Sequence, residues 1–278
     1  MLRRPVIAAM LFALPAGIQA QDAATALAAL CGPEPLLGVA AEAPLGGAWL
    51  LDEDLRTGRG GSRLNQRFAT STGELRIDRI DGGGGLRRFQ LETWADGPDG
   101  LRPTLQVRTD AQCGVGFARR LDYADGRVAA MAHLGADLET VLRIEPLDAP
   151  VPRGRDPGGP RVALIDSGLT YDLPLFVDRL ARGADGAALG WDFWDDDPRP
   201  YDADFARGPF ALVRHGTAVA SILIREAPPD AALIPFRYPL RDMARLGDAV
   251  RRAAAAGARV IAMPLGSANP DDWTRFAA

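Results

Sequence analysis

The sequence contains no lysine, so all 32 of its basic residues are arginines, and it has only two histidines. The absence of lysine excludes a Ser–Lys dyad, a Schiff-base lysine and the lysine of a phosphate-binding loop. The two histidines, His133 and His215, are too few for a histidine-rich metal site. Imidazole chemistry therefore has two candidates, and we interpret His133, which lies among small apolar residues, as structural.

The rest of the composition is that of a globular protein. Of the 278 residues, 47% are hydrophobic and 24% are charged, which excludes a disordered, collagen-like or coiled-coil chain. The length predicts about two domains. The formal net charge is −4, so we expect no nucleic-acid partner.

Residues 1–20 have the layout of a secretory signal peptide. Arg3 and Arg4 form a basic start, an apolar run follows over Val6–Leu14, and Ala20 is a small residue at the cleavage point. The alternative is a transmembrane anchor, but the apolar run is too short to cross a bilayer. We expect a secreted or periplasmic protein without membrane contact after the signal is removed.

Two cysteines, Cys31 and Cys113, remain in the mature chain. An even pair in an exported protein favours one disulfide. This bond would close a loop of about 80 residues and contribute about 4 kcal/mol on the chain-entropy model. The alternative is two buried free thiols, and neither cysteine has the surroundings of a catalytic nucleophile.

Residue composition and hydrophobic pattern divide the chain into three parts after the signal peptide. Residues 21–147 alternate apolar and polar positions between glycine turns, which predicts a β-rich antiparallel domain, with one hairpin at Asp125-Gly126. Residues 148–160 are rich in Pro, Gly and Arg, which is typical of a linker. We expect Arg153 and Arg155 to be exposed there and open to proteolytic processing. Residues 161–278 form the third part.

This third part predicts parallel strands alternating with helices. The apolar runs Val162–Ile165, Leu233–Ile234 and Val260–Met263 are typical of buried parallel strands. Helical spacing covers Arg214–Ile224 and the stretch from residue 243 to residue 254.

Three signals in the third part suggest chemistry. Asp166 follows the first buried strand, and ligands bind at that edge of open parallel sheets. His215 opens a helix of small residues, and we expect the helix dipole to keep its imidazole neutral and able to accept a proton. Leu265 and Gly266 follow a third strand, in a turn that can present backbone groups to an extended peptide. Taken singly, each signal also has an ordinary interpretation. Asp166 is then a structural aspartate, His215 a histidine at a helix start, and Leu265-Gly266 a common turn.

In order, these segments resemble the subtilisin-like serine proteases. The matching segments are Asp-Ser-Gly at Asp166, His-Gly-Thr-x-Val-Ala at His215 and Leu265-Gly266, with supporting likeness over Gly190–Asp195 and Ala227–Phe236. The resemblance covers about residues 161–278. It implies an α/β fold, a partial subtilisin-like parallel sheet with flanking helices, preceded by a smaller β-rich domain that is a propeptide-like or accessory module.

The resemblance also implies a mechanism. Asp166 would hold the Nδ1–H of His215, and His215 would be the general base for a serine that attacks a polypeptide substrate. Leu265 and Gly266 would pair with the substrate backbone, although Pro264 removes one donor beside them. No cofactor is implied.

The nucleophile has no match in this sequence. The family's serine lies in a Gly-Thr-Ser-Met-Ala-like segment that these 278 residues do not contain, and Ser267 is only the least unsuitable substitute. The serines present are Ser62, Ser71, Ser167, Ser221 and Ser267. We therefore expect a secreted subtilisin-like endopeptidase whose 278-residue chain is inactive alone. The alternative is a non-catalytic peptide-binding or inhibitory protein; an unrelated nucleotide-binding protein would need a phosphate loop, which the sequence lacks.

An acidic run precedes His215. We favour a solvated loop over a calcium site, because the run lacks the spacing and the closing glutamate of an EF-hand. We expect no metal elsewhere. The run comprises Asp192, Asp195, Asp196, Asp197, Asp202 and Asp204.

Overall fold

The computed structural model describes residues 16–205, 207–238 and 245–266, together with residues 270, 271 and 274. The chain divides into two compact units, Met1–Pro146 and Leu147–Ala278. Most of the predicted signal peptide, residues 1–15, lies outside the described residues. Within the described part of the chain, no helix has both the length and the apolar character needed to cross a membrane.

The first unit is built on one eight-stranded antiparallel sheet, in which every strand pairs with the next strand along the chain. Three short helical elements precede the sheet: α1 (Ala16–Leu30), α2 (Val39–Glu42) and a 3-10 turn (Ala43–Leu45). The strands are β1 (Trp49–Gly58), β2 (Gly61–Thr70), β3 (Gly73–Gly82), β4 (Gly85–Gly97), β5 (Gly100–Thr109), β6 (Val115–Ala124), β7 (Arg127–Leu134) and β8 (Val141–Pro146).

The period-two pattern of the strands buries one side of the sheet beneath α1. Phe89 and Leu91 on β4 and Val107 on β5 are fully buried, and they share a core with Ala23 and Ala26 of α1. The predicted hairpin between β6 and β7 is confirmed. Asp125 and Gly126 both have positive φ, 51° and 79°, as a two-residue hairpin turn of the type I′ class requires.

A disulfide joins the end of α1 to the turn between β5 and β6. Cys31 and Cys113 are bonded, with their Cα atoms 5.8 Å apart. The pairing is the one that the sequence favoured, and the two free thiols of the alternative are not present.

The second unit contains a small parallel sheet of four strands in the order β10-β11-β9-β12. The strands are β9 (Arg161–Asp166), β10 (Trp191–Asp192), β11 (Ala232–Arg237) and β12 (Val260–Ala262), and the helices are α3 (Pro174–Val177), α4 (His215–Glu226) and α5 (Leu246–Ala255). Alternate residues of β9 pack on opposite sides. Leu164 shares a cluster with Ala220 of α4, whereas Ile165 shares one with Ala249 of α5.

The predicted fold class is wrong. The chain is mostly antiparallel β and only about 20% helical, with an eight-stranded antiparallel sheet and a small parallel one, so it is not a subtilisin-like α/β parallel-sheet fold. The β-rich part is also not the smaller one. β1 has no buried residue, so it lacks the alternation of apolar and polar positions that identifies a strand in a sequence.

Candidate active site

Asp166 is the last residue of β9, and its side chain is fully buried. The carboxyl end of a parallel strand is where such sheets bind ligands. One carboxylate oxygen, Oδ1, accepts a hydrogen bond from the backbone N–H of Ser167 at 2.6 Å. This bond fixes the carboxylate at the strand end.

His215 is the first residue of α4, and the structure brings it to Asp166. Its Nδ1 lies 2.8 Å from Oδ1 and 3.0 Å from Oδ2 of the Asp166 carboxylate. Because an ionised carboxylate only accepts hydrogen bonds, Nδ1 carries the proton and Nε2 of the neutral ring is the free base. The side chain is half exposed, and Nε2 has no hydrogen-bond partner within the described part of the chain.

The pKa of His215 is raised above its ordinary value of 6.5. The main cause is the hydrogen bond to Asp166, which burial of the ring partly opposes; the negative charges of Asp166, Asp202 and Asp204 add to the increase. The helix dipole was expected to keep the imidazole neutral, and the hydrogen bond to Asp166 acts in the opposite direction. A carboxylate in contact outweighs the partial charge of a helix end.

Two glycines allow β9 and α4 to approach closely. A Cβ at Gly216 would lie 2.2 Å from the carbonyl oxygen of Gly168 and 3.1 Å from the Cβ of Asp166. Gly168 itself has a φ of +110°, which L side chains rarely adopt. The structure therefore requires glycine at both positions. The close approach of Gly216 to Gly168 places His215 over Asp166.

Asp202, which the sequence analysis did not single out, is fully buried beside Asp166 and His215. Its Oδ1 accepts from the Ser167 hydroxyl at 2.8 Å, and its Oδ2 accepts from the Thr217 backbone N–H at 2.8 Å and from the Thr217 hydroxyl. Burial raises the pKa of Asp202, and these hydrogen bonds oppose the increase. Nothing in the local sequence separates Asp202 from the other acids of its run.

The acidic run is not a solvated loop, contrary to the favoured prediction. Asp192, Asp202 and Asp204 are buried. Asp192 pairs with Arg237 at 3.0 Å and accepts backbone N–H groups from residues 194 and 195. Among the described residues, no group of three or more His, Cys, Asp or Glu side chains could hold a metal ion.

No serine described in the structure is placed as a nucleophile. The Ser167 hydroxyl donates to Asp202 and accepts from the Gly216 backbone N–H at 2.9 Å, so both interactions serve the packing of the site. The Ser221 hydroxyl donates to the carbonyl of Ala218. Ser267 lies outside the described residues, and Ser62 and Ser71 belong to the first unit.

The predicted peptide-binding residues lie just past β12, which ends at Ala262. Leu265 is partly buried against the cluster that contains Ile165 and Ala249, whereas Gly266 is exposed. Neither residue is in a strand. The other histidine, His133, lies on β7 with its Nε2 3.0 Å from Glu145, in a different unit from Asp166.

Comparisons of this chain with protein-family models, with curated proteins and with solved structures find no match. The case for a function therefore depends on the geometry around Asp166 and His215 and on the sequence motifs that contain them.

Proposed function

We propose that this protein is a secreted serine-type endopeptidase that resembles the subtilisin-like family in the motifs of its second unit, although not in its overall fold, and that Asp166 and His215 are the acid and the base of an Asp–His–Ser triad. The observation that carries the proposal is the contact of His215 Nδ1 with the buried Asp166 carboxylate, at 2.8 Å and 3.0 Å. The order of the motifs around both residues supports it. The disulfide between Cys31 and Cys113 is compatible with export.

In this mechanism each residue handles one part of the proton transfer. Asp166 holds the Nδ1–H of His215 and stabilises the imidazolium that forms. Nε2 of His215 takes the proton of a serine hydroxyl as that oxygen attacks the peptide carbonyl, and then donates it to the leaving amine. Because the pKa of His215 is raised, the neutral base becomes available only as pH rises through that higher pKa.

A fluorophosphonate probe and a peptide substrate test the proposal. We expect no labelling of the 278-residue chain, since none of its serines is assigned as the nucleophile. Where the gene continues in frame past codon 278 with a Gly-Thr-Ser segment, we expect the extended chain to be labelled. In that extended chain, Asp166→Asn should lower kcat about 10⁴-fold, because the imidazole loses the partner that fixes its tautomer, and His215→Ala should abolish labelling.

The matched control is Asp178→Asn, which neutralises an exposed carboxylate of the same unit and should leave kcat unchanged. Labelling of the extended chain that survives His215→Ala would refute the proposal. Strong labelling of the 278-residue chain at Ser267 would overturn the expectation that this chain is inactive.

A second candidate is a non-catalytic peptide-binding or inhibitory protein, and one observation favours it. β12 pairs with β9 on one side, and on its other side no strand pairs with it within the described ranges. An unpaired edge can accept an extended peptide as an added strand. Peptide binding by the 278-residue chain that is indifferent to His215→Ala, without labelling of the extended chain, would support this candidate.

A further inference from the structure

Asp202 connects the two chain segments that carry Asp166 and His215. Ser167, the residue after Asp166, donates its hydroxyl to Oδ1 of Asp202 at 2.8 Å. Thr217, two residues after His215, donates its backbone N–H and its hydroxyl to Oδ2. One buried carboxylate therefore holds the end of β9 and the start of α4 at the same time.

The connection closes into a ring. The Ser167 hydroxyl also accepts the backbone N–H of Gly216 at 2.9 Å, so the segments after Asp166 and after His215 contact each other directly as well as through Asp202. None of these bonds involves the imidazole or the Asp166 carboxylate. They hold the backbones at the separation at which the two side chains meet.

The Asp202 backbone is itself anchored. A guanidinium nitrogen of Arg214, the residue before His215, donates to the Asp202 carbonyl at 2.8 Å and to the Thr170 hydroxyl at 2.6 Å. The Thr170 backbone N–H in turn donates to the Thr217 hydroxyl at 3.0 Å. Asp202 is thus held through its backbone carbonyl by Arg214 as well as through its carboxylate.

We propose that Asp202 is a positioning residue that orients His215 against Asp166 by clamping Ser167 to Gly216 and Thr217. The role rests on the proposed function, since it serves the proton transfer assigned to the pair. A carboxylate that only capped α4 would need Thr217 alone. Ser167 accepts the first-turn N–H of Gly216 and donates to Asp202, and because it directly follows β9, its two bonds point to alignment of β9 with α4.

The test measures how fast the Nδ1 proton of His215 exchanges with solvent, by NMR on the full 278-residue chain. His215→Ala identifies the resonance by its disappearance. Ser167→Ala removes the link between Asp202 and Gly216 without changing any charge, and Asp202→Asn replaces the double acceptor by an amide. We expect both variants to exchange this proton about tenfold faster than the parent chain, since each loses a hydrogen bond to a charged group.

Ser221→Ala is the matched control. It removes a hydroxyl of α4 whose one hydrogen bond among the described residues goes to the Ala218 carbonyl. It should leave the exchange rate unchanged. Unchanged exchange in folded Ser167→Ala and Asp202→Asn would overturn the proposal and leave Asp202 a stability residue; if Asp202→Asn does not fold, Ser167→Ala decides. The readout needs no peptidase activity, so failure of the labelling experiment with accelerated exchange would refute only the proposed function.

Discussion

The two nitrogens of the His215 ring have different surroundings, and that asymmetry is what general-base chemistry needs. Nδ1 lies 2.8 Å from a buried carboxylate oxygen of Asp166, which fixes both the tautomer and the orientation of the ring. The same contact favours the charged imidazolium and is the main cause of the raised pKa of His215. The contact that orients the His215 ring therefore also favours its protonated form, which cannot act as a base, at low pH.

This linkage predicts a pH-dependent contribution of His215 to stability. A group whose pKa is higher in the folded state stabilises that state fully below its unfolded pKa, here about 6.5, and loses the contribution as pH rises through the folded pKa. The Tm of the parent chain should exceed that of His215→Gln most at pH below 6.5, and the difference should shrink as pH rises. Thermal unfolding at a series of pH values measures it.

The control for this titration is the same comparison made in an Asp166→Asn background. Without the carboxylate, the pKa of His215 loses its largest cause of elevation, so the Tm difference should lose most of its pH dependence. A difference that grows with pH in the parent chain would contradict the assignment.

Among the elements, β3 is tied to the end of α1 by a buried arginine. Arg79 is 1% exposed and pairs with Asp81 at 2.7 Å. Its Nη1 donates to the carbonyl of Gly32 at 2.8 Å, and its Nη2, which also pairs with Asp81, donates to the carbonyl of Pro33 at 2.9 Å. These carbonyls belong to the segment that follows α1, so the buried guanidinium of Arg79 connects that segment to β3.

Replacing this arginine should therefore destabilise the first unit strongly. Arg79→Met leaves Asp81 and two carbonyls without their partner, which should lower the free energy of unfolding by about 3–5 kcal/mol. Arg63→Met is the matched control on the neighbouring strand, because Arg63 is exposed and pairs with Asp78; it should cost at most about 1 kcal/mol. Urea unfolding of the first unit gives both values, and equal losses would contradict this account.

At the scale of the whole molecule, the segment predicted as a linker is attached to the second unit. Residues 147–160 contain no helix or strand, yet several of their backbone groups are bonded. Tyr171 donates to the Ala149 carbonyl, Arg182 donates to the Pro152 carbonyl, and Gly159 donates to the Asp230 carbonyl. Residues 153–155 lie between these anchors and are exposed.

Limited digestion with trypsin should cut first at Arg153 or Arg155, since proteases select exposed segments without regular structure. Two fragments that correspond closely to the two units should result, and mass spectrometry would identify the cut. The double variant Arg153→Gln, Arg155→Gln should resist this first cleavage. A first cut within the strands of the large sheet would show that the segment is better protected than its exposure indicates.

Local sequence predicted those parts of the fold whose signal is contained in a few neighbouring residues. Asp125-Gly126 predicted a hairpin because few other dipeptides adopt positive φ at both positions. Val162–Ile165 predicted a buried strand because its apolar run is unbroken. The overall fold class was wrong, because the number and size of sheets depend on which strands pair, and β1 is recognisable as a strand only through its pairing with β2.

The sequence alone predicted the candidate pair, because the short motifs that contain Asp166 and His215 lie in neighbouring residues. It also favoured a disulfide between Cys31 and Cys113, which the structure contains. Only the tertiary structure decided that Asp202 clamps this pair and that the acidic run is partly buried and bonded. The physical reason is that a buried carboxylate needs several hydrogen-bond donors. The donors of Asp202 are Ser167 and Thr217, which lie far from it in the chain, and neither residue type by itself predicts this contact.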